Sequence, residues 1–596
     1  MPASTQVRAL VFRLAAAAAV LYGVGVAWRR SWVSDDAYIT FRYADNLARG
    51  LGLVFNEGER VEGYSNFLWT VWISFGLWIG SSAERWATIG GLACYLAALG
   101  LLAWNAWASR REAAGPTAWL PIAAMLAALH PDWNLFATSG LETSLFALEV
   151  TLVYVLLARG SAGPKGAGTR TDARTDAGAG PVRAALAGVV LGVASMTRPD
   201  GPIFAGAAGL YLLIAEPRRV RAFLAFAAAF LALWVPYTLW RVSYFGDYFP
   251  NTYYAKSAAI AWYKQGAFYT ALYFQRYWPL LLGPALVLFA WRRRSRDGAP
   301  EESAALGLWR RRVLLAAILA AAYMAFVIRV GGDFMFGRFL IPITPLLLIL
   351  IELGITRIAA LTAPRPRFAW IVPGVVAAGI LFTPYPLPTD PFATIRGIVF
   401  EPNFYSPEAN GVARRQGQRL RPFFEGLPVC VAFYGGEAAW IYYARPRVAL
   451  ECVTGLTDRR IARQPIEDRG RVGHEKLASP EYVLNERRAH LTFFKNATGV
   501  LNLDQEVPRL EVDLGGDTGR LLTWDPVLVD SLRARGGIVP DFPAQLDELL
   551  ERPSSVFRTI GWLRPEKLRR FYFEQVNEPE REALFLQRVR ESDGGG

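Results

Sequence analysis

Two neighbouring carboxylates, Asp35 and Asp36, stand in the segment SDDAYITFRYADN at residues 34–46, directly after an Ala-rich apolar run. The hydrocarbon of a bilayer strongly disfavours ionised carboxylates, so a pair kept at its edge faces water, a cation or a substrate. A carboxylate so placed can take a proton from a hydroxyl group. Adjacent side chains on a turn or extended segment point different ways, so one aspartate is expected to meet the reacting hydroxyl and the other a cation or an arginine. Ser34 and Asp35 also suit the start of a helix, where their oxygens accept from backbone N–H groups. That capping role is compatible with catalysis by the pair.

Four further motifs place polar residues at the ends of apolar runs: HPDWNLFATSGLET at 130–143, TRPDG at 197–201, YFGDYFPNTYYAKS at 244–257 and GGDFMFGRF at 331–339. Arg42, Arg198, Lys256 and Arg338 are the candidates for holding an anionic group such as a phosphate. Guanidinium forks bind a phosphodiester bidentately, which favours the arginines over Lys256; the plain alternative is snorkelling to lipid headgroups. Asp333 and Glu142, each beside glycine-bearing turns, are candidates for binding hydroxyls, and Glu142 equally suits a helix-dipole charge. Asn251 joins this binding group, as does His130, for which a structural role competes. Asp200 after Pro199 reads as a turn residue.

The elements that must position these residues are membrane spans. Of the 596 residues, 53% are hydrophobic and only 19% charged, and the mean hydropathy is +0.21, outside the range of an ordinary soluble chain. Arginines gather in short segments between apolar runs, at 110–111, 170–174, 218–221, 292–294, 310–312 and 365–367. That distribution is the positive-inside signature, so the formal charge of +13 marks a membrane protein and not a nucleic-acid partner. Spans are expected near 8–28, 86–108, 116–132, 141–158, 184–197, 202–215, 221–242, 275–291, 313–330, 339–361 and 368–382, about eleven in all.

Charge parity requires the run 67–79 to be an interfacial or re-entrant helix, and all five polar motifs then fall on the face opposite the arginines. Residues 36–47 have the pattern of an amphipathic helix on the membrane surface, and 160–180 reads as a disordered loop. From about residue 385 the chain becomes ordinary soluble sequence, with strands expected at 429–434 and 447–453 and helices at 543–551 and 565–576.

The expected fold class is therefore a polytopic α-helical membrane protein with a C-terminal soluble α/β domain. Residues 1–384 form the membrane part, including an outer-face loop at 29–85, and 385–596 the extracytoplasmic domain. Three cysteines make no disulfide framework; Cys430 and Cys452 are expected as buried strand thiols. With three histidines a His-based zinc site is not expected. A hard divalent cation such as Mg²⁺ or Ca²⁺ is compatible with the aspartate pair, although no loop motif specifies one.

Taken in order, SDDAYITFRYADNLARGLGLVFNEGERVEGYSNFLW, SGLETSLFAL, TRPDG, PNTYYAK, GGDFMFGRFLIP, GLTDRRIAR and GRVGHEK resemble the GT-C class of polyprenyl-phosphate-sugar-dependent glycosyltransferases, and within it the mycobacterial terminal β-1,2-arabinofuranosyltransferases and their bacterial relatives. The resemblance extends from about residue 34 to 476. It implies a catalytic base among the acids of the first outer loop, hence Asp35 or Asp36. It also implies a polyprenyl-phosphate-sugar donor, a glycan or glycolipid acceptor, and a site on the outer face of a bacterial cytoplasmic membrane. Because polyprenyl phosphate leaves as a stable anion, one base suffices for an inverting displacement. The competing classes are a lipid-glycan flippase, against which the absence of an internal repeat speaks, and a non-catalytic glycan-binding receptor, which has no need of the aspartate pair.

Overall fold

The computed structural model describes residues 3–594 except 110–119, 160–179, 217–218, 293–299, 362–366, 389, 391–392, 467–468 and 494–500. The loop expected to be disordered at 160–180 thus lies almost wholly outside the described residues. The chain divides into two compact units. The first comprises Met1–Ala37, Ser65–Gly246 and Ala259–Ser406, the second Tyr38–Tyr64, Asp247–Ala258 and Pro407–Gly596. This division differs from a single boundary at 384/385, because 38–64 and 247–258 join the C-terminal residues and 385–406 stay with the apolar helices.

Among the described residues, six helices of the first unit are long and apolar enough to cross a membrane: Ala9–Arg29, Ala83–Ser109, Gly180–Thr197, Arg219–Phe245, Ala305–Val330 and Arg338–Leu361. Phe67–Trp78, Thr143–Ala158, Gly201–Ala215, Trp278–Arg292 and Ile371–Phe382 are shorter apolar helices. The protein is a multi-pass membrane protein. Phe67–Trp78 has 12 residues, which at 1.5 Å each span about 18 Å, short of an upright crossing.

Lipid tails are as apolar as leucine, so helices here associate through close packing and buried polar contacts. Gly188 and Gly192 form a GxxxG stripe on Gly180–Thr197 that admits the backbone of Arg219–Phe245. A Cβ at 188 would come within 2.3 Å of Phe226 O, and one at 192 within 2.9 Å of Leu233 Cβ. Glu352, buried within the helix Thr344–Leu361, accepts from Ala123 N at 2.8 Å and so serves a donor at the start of the helix Ile122–Ala128, a group with no partner inside its own helix.

The second unit carries a five-stranded sheet of order β2-β1-β3-β5-β4, with β1 at Cys430–Phe433, β2 at Val448–Glu451, β3 at Leu491–Thr492, β4 at Glu511–Leu514 and β5 at Asp517–Leu521. β1 pairs parallel with β2, Cys430 facing Val448, and parallel with β3; β5 runs antiparallel to β3 and β4. The β1–β2 crossover contains the helix Ala438–Ala444, as a parallel pair requires a return connection. The strands expected at 429–434 and 447–453 are these first two, and the helix expected at 543–551 is Phe542–Glu551. Cys430 and Cys452 are buried free thiols.

The surface helix is present as Asp35–Ala48, but its apolar side is not left for lipid. Tyr38 and Phe41 meet Tyr442 at ring separations of 5.7 and 6.1 Å, so the amphipathic pattern records burial against protein.

Replacing Gly188 by Leu should force the helices 180–197 and 219–245 apart. The expected cost is about 1–3 kcal/mol, read as a lowered unfolding temperature of the detergent-solubilised protein; an unchanged melt would show that the close approach is not stabilising.

Candidate active site

Five turns of the first unit deliver charged side chains to one place. Asp36 lies in the first turn of Asp35–Ala48, and Glu142 immediately precedes Thr143–Ala158. Arg198 and Asp200 lie between the helices Gly180–Thr197 and Gly201–Ala215. Asp333 and Arg338 sit on the turn that joins Pro300–Val330 to the 3₁₀ segment Arg338–Ile343. Glu401 opens the 3₁₀ turn Glu401–Asn403. The GGDF turn depends on its glycines: Gly332 has φ +77°, and a Cβ there would lie 2.4 Å from the Tyr269 ring, a conformation and a space that only glycine accepts.

Glu142 is shared by two arginines, its Oε1 lying 2.8 Å from Arg198 Nη1 and 3.4 Å from Arg338 Nη2. Its Oε2 accepts from Asn66 Nδ2 at 2.9 Å. Arg198 is also clamped by Asp200, with Nε to Oδ1 at 2.9 Å and Nη2 to Oδ2 at 3.0 Å, and Tyr323 OH donates to the same Asp200 Oδ2 at 2.7 Å. Its guanidinium lies over the Phe339 ring at 4.9 Å.

Arg338 is held more loosely. Its Nη1 is 3.6 Å from Asp333 Oδ2 and 4.0 Å from Asp36 Oδ2, and its Nε has no hydrogen-bond partner. The Asp36 side chain is 32% exposed, whereas Asp35 is buried at 4%. The two aspartates differ in exposure, but the arginine and the open face are not divided between them as expected: Asp36 has both.

Glu401 escaped the sequence reading because it stands in VFEPNF, outside every polar motif. It is 2% exposed and accepts from Ser34 Oγ at 3.0 Å; its Oε2 has no hydrogen-bond partner. Burial first, and the neighbouring charge of Asp36 second, push the Glu401 carboxyl well above the ordinary glutamate value, against the pull of Arg338. Asp200, read as a turn residue, is in fact the bidentate anchor of Arg198. A signal for it existed: an aspartate two residues after an arginine in a turn can reach back to the guanidinium.

Four of the expected binding residues are not brought into this network. Arg42 donates from Nε to Phe55 O and from Nη2 to Pro446 O, both at 2.8 Å; it braces the second unit, and burial lowers its pKa to about 10. Asn251 Nδ2 donates to the carbonyls of Gly455 and Leu456 at 2.8 and 2.9 Å, holding the GLTDRR turn. Lys256 lies along Gly473, whose Cβ would stand 3.4 Å from the lysine stem. His130 caps the helix Pro131–Phe136 through Nδ1 and Trp133 N at 3.2 Å; its Nε2 is 3.1 Å from Tyr273 OH, and its ring stacks on Tyr277 at 4.1 Å. Among the described residues, no three His, Cys, Asp or Glu side chains are arranged to hold a metal ion, and no step is assigned to one.

No protein-family model matches the chain. It is 32% identical over 370 residues to the terminal β-(1→2)-arabinofuranosyltransferase of Mycobacterium tuberculosis, covering 59% of this chain and 56% of that protein. It is 32% identical over 365 residues to the protein of the same name from Corynebacterium glutamicum, covering 57% and 50%. The chain thus spans about half the length of these curated relatives. In structure it superposes on ArnT from Cupriavidus metallidurans in the apo state with a TM-score of 0.53 at 15% identity, covering 86% of this chain and 97% of ArnT. The crystal structure of that ArnT bound to undecaprenyl phosphate gives 0.50 at 14% identity, covering 87% and 98%.

The chain has a GT-C fold. Asp36, the arginine turns and Glu401 form one connected set, with Asp36 at its solvent-facing edge and Glu142 and Asp333 at its most enclosed end.

Because the folded-state pKa of Glu401 lies above its unfolded value of 4.5, its contribution to stability is complete below that pH and is lost progressively as pH rises toward the folded value. Glu401→Gln keeps a neutral group of the same shape. The melting temperatures of wild type and variant should therefore draw apart with rising pH, the variant becoming relatively more stable; a constant gap would show that Glu401 is ionised in the folded protein throughout.

Proposed function

We propose that the chain is a membrane glycosyltransferase that moves a sugar from a polyprenyl-phosphate donor to a glycan or glycolipid acceptor, with inversion, on the outer face of a bacterial cytoplasmic membrane. The observation that carries this reading is the approach of Asp36 Oδ2 to Arg338 Nη1 at 4.0 Å, a part-exposed carboxylate beside a guanidinium with donor capacity to spare. The names of the two arabinofuranosyltransferase relatives and the undecaprenyl phosphate bound to ArnT support the donor and acceptor classes. The clustering of arginines in the opposite loops supports the orientation.

In this mechanism the acceptor hydroxyl oxygen attacks the anomeric carbon from the face opposite the phosphate. The new C–O bond forms as the sugar–phosphate C–O bond breaks, and the electron pair leaves on the phosphate oxygen. Asp36 takes the hydroxyl proton. Arg338 meets the charge on the departing phosphate, since its Nε is unused and its contacts to Asp333, Glu142 and Asp36 are long enough to be exchanged. Arg198 is a positioning residue: its bonds to Asp200 and Glu142 leave it a strut that fixes the carboxylate Arg338 leans on. Asp333 Oδ1 accepts from Phe334 N at 2.9 Å and keeps the glycine turn that carries Arg338 in shape, while its Oδ2 lies 3.6 Å from Arg338 Nη1.

The test is sugar transfer from a lipid-phosphate donor in detergent. Asp36→Asn should lower turnover by about 10²–10⁴ with little change in melting temperature, whereas Asp35→Asn, a change at a buried group, should act chiefly through stability. Full turnover in Asp36→Asn would remove the base and with it the mechanism.

A further inference from the structure

The second unit contains a cavity of about 450 Å³ lined by Asp504, Gln505, Gln545, Thr559 and Trp562 among others, a size typical of small-molecule sites. Its floor is a cluster of tilted and edge-to-face aromatic rings. Trp562 packs on Phe542 at 6.3 Å, and Phe542 is held by Phe571 at 5.0 Å, Tyr572 at 5.3 Å and Trp524 at 5.9 Å. Phe542 is fully buried while Trp562 is only half-buried, so indole surface remains for a ligand.

One wall is the turn at 503–509, fixed by three cations that donate to its carbonyls. Lys567 Nζ reaches Gln505 O at 2.8 Å, Arg570 Nη2 reaches Glu506 O at 2.8 Å, and Arg520 Nη2 reaches Val507 O at 3.0 Å. Gly561 has no side chain where one would collide, since a Cβ there would stand 2.0 Å from Gln505 Oε1. The absence of that atom lets the carboxamide lie against the backbone beside Trp562. Each guanidinium at the rim already has a carboxylate partner, because Asp504 is ion-paired with both Arg509 and Arg520.

We infer that this cavity is a glycan subsite, in which a neutral oligosaccharide segment of the acceptor lays a sugar face on Trp562 and sets its hydroxyls on the carboxamides of Gln505 and Gln545. An aromatic face suits the C–H side of a sugar ring, and carboxamides, which both donate and accept, suit hydroxyls. A phosphate would want a cation not already paired, and a purely apolar ligand would strip the carboxamides of water without replacing their bonds. The identity of the ligand as acceptor rests on the transferase reading; the cavity and its chemistry do not.

The probe is a neutral arabinan pentasaccharide, chosen for the sugar named in the two relatives, titrated against the full-length protein in nanodiscs and followed by saturation-transfer NMR. Trp562→Ala should weaken binding about tenfold or more, and Trp562→Phe should recover most of the loss. Gln545→Ala, on an exposed helix face and harmless to folding, should weaken it roughly three- to tenfold, so it decides the matter if Trp562→Ala proves unstable. Wild-type affinity in Gln545→Ala and in any folded Trp562 variant, or no binding by the wild type, overturns the subsite. Transfer to a methyl arabinofuranoside, too small to reach beyond one site, is measured alongside and should be unchanged in these variants. Binding of the pentasaccharide by a wild type that transfers no sugar would overturn the transferase reading and leave the subsite standing.

Discussion

Two guanidiniums buried among carboxylates are the constraint on which the first unit depends. An ion pair removed from water recovers its desolvation cost only when nearly every charge has a well-placed partner, and removing one partner costs about 3–5 kcal/mol. Arg198 meets that demand almost completely through Asp200, Glu142 and the ring of Phe339. The segments that carry these groups are far apart in sequence, so the spans have to end in register. The short turns between them must also hold shapes set by Pro199, Gly331 and Gly332. Packing among the helices, including the glycine stripe at 188 and 192, fixes the ends of spans firmly enough for contacts of about 3 Å to recur at each of them.

Within that network the two arginines have different freedom. Arg198 has a bidentate carboxylate and a second one at 2.8 Å; exchanging either for a ligand would leave a buried acid uncompensated. Arg338 makes its contacts at 3.4 to 4.0 Å, longer than a well-formed charge-assisted bond, and its Nε has no hydrogen-bond partner. The same residue type in two similar turns thus supplies a strut and an adjustable donor, and this distinction rests on the geometry of their carboxylates, which no motif states.

Much of this was legible. Polar residues gathered at the ends of apolar runs pointed to Asp36, Glu142, Arg198, Asp333 and Arg338, and those five do converge. Arg42, Lys256 and Asn251 satisfied the same criterion and went elsewhere, because the segments 38–64 and 247–258 fold with the C-terminal residues. Polarity and loop parity place a residue on a side of the membrane but carry no information about which body a loop joins. Arg42 is instructive: its spacing on an amphipathic helix is that of a headgroup-facing arginine, yet its fork is spent on backbone carbonyls. Glu401 was invisible for the opposite reason. It lies in unremarkable loop sequence, and only the folded chain brings it beside Ser34 and into the field of Asp36.

Glu401 changes the electrostatic account of the site. Asp36, Glu142, Asp200 and Asp333 already outnumber the two guanidiniums, and a lipid phosphodiester would bring one more negative charge. A charge on Glu401, buried and with one oxygen lacking any donor, would add to the repulsion of the donor the site is proposed to hold. Burial and the proximity of Asp36 push the Glu401 carboxyl well above the ordinary glutamate value, which favours the uncharged form while it accepts from Ser34. Two acids sharing a neighbourhood are thereby set in different environments, the condition under which paired carboxyls divide acid and base duties. In the proposed mechanism, an uncharged Glu401 would lower the repulsion that an incoming lipid phosphodiester meets, so its raised pKa fits the binding of an anionic donor.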